Sequence, residues 1–162
     1  MICNALQSKI ITALSLSGLL NILRSNQQSI VFTNGCFDLL HPGHLDYLTK
    51  AKALGDVLIL GINDDNSVKT LKGETRPINK LNDRMLMLAG LESVDFITPF
   101  SENTPLKLIK SIQPDFLVKG GDYTKDKIVG AEFVEEEGGK VEIIPFLEGY
   151  SSTSIIDRIK KL

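Results

Sequence analysis

Short apolar runs with little polar alternation recur along the chain: 29–33 SIVFT, 57–61 VLILG, 94–98 VDFIT, 115–118 DFLV and 140–145 KVEIIP. Strands that are apolar on both faces belong to a parallel sheet covered on both sides, so these five runs predict such a sheet. The segments between them carry helical spacing instead. Residues 43–54 set Leu45, Leu48, Ala51 and Leu54 on one face, and residues 80–91 do the same with Leu81, Met85, Leu88 and Leu91. Residues 105–112 predict a helix with Pro105 in its first turn and Thr104 as its N-cap. A further helix over 126–137 stops at Gly138-Gly139, and the last runs from about Thr153 to Lys161. An amphipathic helix is expected around residues 5–24, whereas 67–77, SVKTLKGETRP, reads as a charged loop containing glycine.

Strand–helix alternation of this kind implies an α/β fold, a Rossmann-like doubly wound parallel sheet of about five strands with flanking helices. A single domain over 29–162 is expected, with residues 1–28 as a helical segment packed on it. In the common strand order 3-2-1-4-5, strands 1 and 4 are neighbours where the winding reverses. Ligands bind there, beyond the carboxyl ends of the strands. The loops meeting at that point would be TNGCFDLLHPGH (33–44) after strand 1 and KGGDY (119–123) after strand 4.

Composition narrows the partners. A net charge of −2 and a sequence pI near 5.7 leave no field for nucleic-acid binding, although a small anion needs only a few local cations. Cys3 and Cys36 form neither a disulfide framework nor a zinc spacing, which favours a reducing compartment. The N-terminal apolar stretch is interrupted by Thr12, Ser15, Ser17, Gly18 and Asn21, too polar for a bilayer span. No membrane partner and a cytoplasmic location are therefore expected.

His41 and His44 are the chain's 2 histidines, and they flank Pro42-Gly43 where a helix begins. Free N–H groups and the helix dipole make that place an anion site, to which two imidazoles add donors. A zinc site would need three or four protein ligands, which this loop does not offer, and the plainer alternative is a capping or core histidine. Gly120-Gly121 at a strand end lets a ligand approach the backbone, with Asp122 placed to accept from ribose hydroxyls or a base; an ordinary turn is the alternative. Ser151, Ser152 and Thr153 follow Gly149-Tyr150 at a helix start, where a cap accounts for one hydroxyl but not three. Lys69, Lys72 and Arg76 bring positive charge after strand 2, with Arg84 following, and Lys72-Gly73 is better suited than Lys69 to reach a site.

Together, FTNGCFDLLHPGH and YSSTSII resemble the HxGH and C-terminal S-T-S signatures of the cytidylyltransferase-like nucleotidyltransferases. The phrases FTNGCFDLLHPGHLDYL, NDDNSVKTLKGETRPIN, TPLKLIKSIQPDFLVKGGDY and GYSSTSIIDRI resemble, more closely, the D-glycero-β-D-manno-heptose 1-phosphate adenylyltransferase family, over about residues 28–162. That resemblance implies attack by a sugar 1-phosphate on the α-phosphorus of ATP, giving ADP-heptose for lipopolysaccharide-type precursors. It implies His41, His44 and Lys72 as catalytic. Thr33, Asn34, Gly35, Phe37, Gly120, Asp122, Tyr123, Ser151, Ser152 and Thr153 would hold the nucleotide, with Asp38 and Arg76 on the sugar-phosphate side. It further implies Mg²⁺ arriving with ATP and no tightly held protein metal, a homodimer, and a separate sugar kinase upstream. A cytidylyltransferase acting on another acceptor such as glycerol 3-phosphate, and a nucleotide-binding module without catalysis, are the competing readings.

Overall fold

The computed structural model describes residues 4–121 and 123–162. Five strands form one parallel sheet: β1 (Ile30–Gly35), β2 (Val57–Asn63), β3 (Phe96–Phe100), β4 (Phe116–Gly120) and β5 (Lys140–Ile144). Their order is β3-β2-β1-β4-β5, so β1 lies between β2 and β4 and the winding reverses at the β1/β4 seam. Pleating sends alternate side chains to opposite faces. Val31, Leu58, Leu60 and Ile62 pack with α3 (Pro42–Lys52) and α5 (Leu81–Ala89) through Leu48, Ala51, Met85 and Leu88. Ile30, Phe32, Val57 and Ile59 pack on the other face with α2 (Ala13–Ser25), α6 (Leu106–Ile112) and α7 (Ala131–Glu136). Burial on both faces is the physical reason the strands read as unbroken apolar runs.

Four sequence expectations change. The 5–24 segment is two helices, α1 (Asn4–Gln7) and α2, because Thr12 caps α2 by accepting from the Ser15 N–H at 3.3 Å. Between them Ile10 bridges Ile97 in parallel fashion, extending the sheet beyond β3. The charged loop after β2 is largely a helix, α4 (Asp65–Lys72), started by the Asp64 carboxylate accepting from Ser67 N–H at 2.7 Å. Pro105, not Thr104, occupies the N-cap position of α6 and makes no side-chain cap bond. The helix expected over 126–137 splits into a 3₁₀ turn at Lys125–Lys127 and α7, divided at Gly130, whose φ of 86° interrupts the helical path. The chain's last helix, α8, spans Ser152–Ile159. Among the described residues no helix is long and apolar enough to cross a membrane.

Candidate active site

The loop after β1 turns back on itself before α3 begins. Phe37 takes a left-handed conformation (φ 46°), a strained state for a bulky residue that costs about 1–3 kcal/mol and persists only where packing enforces it. Here the ring is buried and folds across Gly35, where a Cβ would stand 2.8 Å from it. Its other neighbour is His44, 5.2 Å between ring centroids at 54°. Phe37 therefore forms the wall behind His44, which is a different task from the expected one of surrounding the nucleoside.

His41 occupies the N-cap position of α3 with extended backbone and no side-chain cap bond, and Pro42 supplies the first-turn φ. The capping alternative for His41 thus fails. The two imidazoles stack instead, 3.8 Å apart at 25°. Gly43 is needed between them, since a Cβ there would lie 3.1 Å from His41 Nδ1 and 3.2 Å from Tyr150 Cβ. Burial lowers the pKa of His41, and burial, then His41, then Lys72 lowers that of His44 from 6.5 to about 4. Both rings are neutral at physiological pH. Each Nδ1 is buried without a hydrogen-bond partner among the described residues. A buried lone pair left unpaired costs less than a buried unpaired N–H, so we assign the proton to Nε2 in both rings. Neutral Nε2–H donors beside a helix N-terminus suit an anionic ligand.

Lys72 ends α4 and is exposed, and its charge reaches both His44 and the Cys36 thiol. Lys69, one turn earlier, faces Glu74 at 3.9 Å. Lys72 thus lies within electrostatic reach of His44, whereas Lys69 is turned toward a carboxylate. Burial pushes the Cys36 thiol up, outweighing Lys72 and Arg84, so it stays protonated and is no nucleophile.

Asp38 and Arg76, expected on the sugar-phosphate side, bind each other at 2.5 Å, with side chains only 2% and 12% exposed. Asp38 also accepts from the Ile78 and Asn79 N–H groups at 2.8 and 2.9 Å. Burial raises its pKa, but those N–H groups and the Arg76 guanidinium outweigh that and hold it below the usual carboxylate range. The pair clasps the 73–80 segment onto the β1 loop. Arg84, counted from sequence with the loop cations, is 1% exposed. Its guanidinium donates to the carbonyls of Cys36 (2.7 Å), Asn63 (2.9 Å) and Asn79 (3.1 Å) and to Asp65 (2.9 Å). It is a brace across the ends of β1 and β2, and only its solitary place on an apolar helix face hinted at that in the sequence.

Thr33 is wholly buried, and its hydroxyl lies 2.6 Å from the Tyr47 hydroxyl, which donates to the Val118 carbonyl at 3.2 Å. These bonds tie α3 to β1 and β4, and they leave the Thr33 side chain nothing to offer a ligand. Across the seam Lys119 donates to Asn34 Oδ1, and burial lowers the Lys119 pKa to about 8. The sequence places Lys119 inside KGGDY without a task; the structure shows that it orients Asn34. Gly120 and Gly121 lie under the Phe146 ring, and Tyr123 is half exposed. Asp122 lies outside the described residues, as does Cys3.

The segment after β5 returns over this seam. Tyr150 touches Gly43, and Ser152 Oγ donates to the Leu39 carbonyl at 3.1 Å. Ser151 caps α8, accepting from the Ser154 N–H at 3.0 Å. Of the three hydroxyls, one caps, one anchors the segment, and that of exposed Thr153 makes no hydrogen bond to another described residue. His41, His44, the α3 N-terminus, Lys72 and the start of α8 share the carboxyl end of the sheet. Among the described residues no group of three or more His, Cys, Asp or Glu side chains could hold a metal ion.

Residues 32–158 match the family model described as Cytidylyltransferase-like. The chain is 56% identical over 156 residues to a Bifunctional protein HldE of Helicobacter hepaticus, covering 96% of this chain and 31% of that protein. It is 54% identical to the protein of the same name from Nitrosococcus oceani, covering 88% and 30%. The chain thus spans about a third of the length of the curated relatives it matches. A solved structure described as the lipopolysaccharide core biosynthesis protein from Thermoplasma volcanium superposes with a TM-score of 0.60 at 29% identity, covering 76% of this chain and 99% of that one. A pantoate-beta-alanine ligase from Francisella tularensis shares the fold at a TM-score of 0.57 and 19% identity, covering 94% and 78%.

Proposed function

The chain belongs to the cytidylyltransferase-like family, and on that premise we propose that it transfers AMP from ATP to a sugar 1-phosphate, D-glycero-β-D-manno-heptose 1-phosphate, releasing pyrophosphate. The observation that carries the proposal is the stacked, neutral histidine pair at the α3 N-terminus, with Lys72 within electrostatic reach of His44. The identity to proteins named HldE and the kinship with a lipopolysaccharide core biosynthesis protein support the sugar assignment.

The chemistry asks little of an acid or base. A phosphate monoester has its second pKa at about 6, so the attacking oxygen is already ionised near neutrality. A ring that protonates only at about pH 4 is a poor base in any case. What the reaction needs is two anions held in line and charge stabilised on the α-phosphoryl and leaving pyrophosphate oxygens. His41 and His44 donate to the triphosphate through Nε2–H. The Lys72 ammonium offsets the repulsion between nucleotide and acceptor. Thr153 and the α8 N-terminus take the outer phosphates, while Ser151 and Ser152 hold that helix in place. Asn34, fixed by Lys119, meets the nucleoside, the Gly120–Gly121 backbone acts through the Phe146 ring it carries, and Thr33, Phe37, Asp38 and Arg76 act through the loops they position.

Mg²⁺ bound to the triphosphate would neutralise part of its charge. The donor set here, imidazole N–H and ammonium with the Asp38 carboxylate already committed, fits a cation that arrives with the nucleotide. The acceptor must be phosphorylated before it reaches this site, so a kinase-class reaction precedes it; a name that declares two activities in one longer relative supports such a pairing.

The test is a pyrophosphate-release screen of ATP and CTP against D-glycero-β-D-manno-heptose 1-phosphate and glycerol 3-phosphate. Turnover with ATP and the heptose phosphate alone is expected. Turnover only with CTP, or nucleotide binding without pyrophosphate release in any pairing, would replace this reading with one of its competitors.

A further inference from the structure

We propose that Phe146 is the stacking surface for the nucleobase. The proposal rests on the nucleotidyl-transfer reading above and adds the part of the site that reads the base. β5 ends at Ile144, and the chain then crosses the β4 end toward α3. In that crossing the Phe146 ring lies directly on the glycine ledge of β4. A Cβ on Gly120 would stand 2.8 Å from Phe146 Cε1, and one on Gly121 would stand 2.9 Å from Cζ. The Tyr47 ring lies on the same side and would be 3.1 Å from the same Gly120 Cβ. A core aromatic and a surface aromatic therefore converge on the space that a side chain at Gly120 would fill, and any side chain there would lift Phe146 away. The absence of side chains at both positions serves this contact.

With one side of the ring seated on backbone, the rest faces solvent: Phe146 is 66% exposed. A single exposed apolar residue is ordinary on a protein surface; what sets this ring apart is that it is held flat on two glycines beside the histidine pair's end of the sheet. The ring's place selects what stacks on it. The ring lies at the β1/β4 seam, and its segment continues through Tyr150, against Gly43, to the α8 start. A triphosphate on the histidine pair would thus run along this segment, and its base would reach the aromatic end. The close seating on Gly120 and Gly121 leaves no slot between ring and ledge, so the base takes the outer face. Flat aromatic surface of this kind binds a purine by stacking.

The chain has no tryptophan, so F146W introduces a single reporter at the site. Its emission should change on titration with ATP and with adenosine, and stay constant with tripolyphosphate, which occupies the phosphate groups but brings no base. In steady state F146A should raise the KM for ATP by about 10- to 100-fold, the usual size of one lost base stack, with the KM for the sugar phosphate unchanged. F146L, apolar but not aromatic, should fall between. Equal emission responses to tripolyphosphate and ATP, or an unchanged KM for ATP in F146A, would overturn the proposal. Failure of the catalytic reading looks different: the wild-type chain would release no pyrophosphate while F146W still reported adenosine.

Discussion

Replacing His44 by alanine separates what this ring costs the fold from what it gives the reaction. Burial, then His41, then Lys72 lower its pKa from 6.5 to about 4. At about 1.4 kcal/mol per pKa unit, charging the ring in the folded state carries a penalty of about 3 kcal/mol, which solvent screening of a partly covered ring reduces to about 2 kcal/mol. The folded pKa lies below the unfolded one, so as pH falls through 6.5 the unfolded chain takes up the proton first. Stability is lost until the folded ring titrates near 4. At pH 7 the ring is neutral in both states, and H44A forfeits only its stacking on His41 at 3.8 Å and its contact with Phe37 at 5.2 Å, about 1 kcal/mol. H44A should therefore be less stable than wild type by about 1 kcal/mol at pH 7 and more stable by about 1 kcal/mol near pH 4.5. Urea unfolding at pH 7, 5.5 and 4.5 reads the crossing, and carboxylates common to both proteins cancel in the difference. Stability curves that stay parallel with pH would refute a neutral, desolvated His44. In the same variant at pH 7, kcat should fall about 10²- to 10³-fold, as for loss of one preorganised donor; near-wild-type turnover would remove the phosphate-donor role.

Three further outcomes follow from the geometry. K72A should lower kcat/KM for pyrophosphate release by about 10²-fold while K69A stays within about threefold of wild type, measured at one ionic strength; equal losses would place the two lysines on the same footing. R84M should cost about 3–5 kcal/mol in urea unfolding, because three carbonyls and Asp65 lose a buried cation; a loss below about 1 kcal/mol would show the brace to be dispensable. D38N should cost about 2 kcal/mol at pH 7, and because the Asp38 pKa is held low, that advantage of the wild type is present above the unfolded carboxylate pKa near 3.8 and fades as pH falls below it.

The parts of this protein that were legible in its sequence are those whose cause is local. Strands buried on both faces announce themselves as apolar runs, and HPGH declares a helix start by its proline and glycine. The α4 helix reads as a loop because its signals are polar: Asp64 as cap, Gly73 as stop, and mostly charged or polar residues between. That the loops after β1 and β4 meet at one seam is legible from the strand alternation, but the division of labour inside them is not. Asp38 and Arg76 carry charges that would serve a substrate equally well, and only their mutual contact at 2.5 Å shows them spent on each other. Arg84 reads as one more cation until the backbone carbonyls of β1 and β2 converge on it. Thr33 and Phe37 sit between site residues in sequence, yet the pleat and a left-handed turn send their side chains inward. Sequence proximity to a motif distinguishes a ligand-facing atom from its support only when the backbone path is known.

The two ends of the sheet show why the site lies where it does. At the amino end an aspartate immediately precedes each of β2, β3 and β4, and every one accepts hydrogen bonds through Oδ2. Asp56 accepts from the Ser29 N–H at 2.8 Å, Asp95 from the Leu58 N–H and Lys52, each at 2.7 Å, and Asp115 from the Ile30 N–H at 2.7 Å and Arg24 at 2.9 Å. The opposite end holds groups without partners among the described residues: the Nε2–H donors assigned to His41 and His44, an exposed Phe146, and the exposed Lys72 within electrostatic reach of His44. The N-termini of α3 and α8 add partial positive charge at that end. Carboxylates at the bottom of the sheet thus secure strand starts, and those at the top, Asp38 and Asp65, are paired with Arg76 and Arg84, which leaves the histidine donors and Lys72 open to a ligand. Such an arrangement stabilises the empty protein poorly at the site and an anionic ligand well, which is the differential that phosphoryl transfer requires.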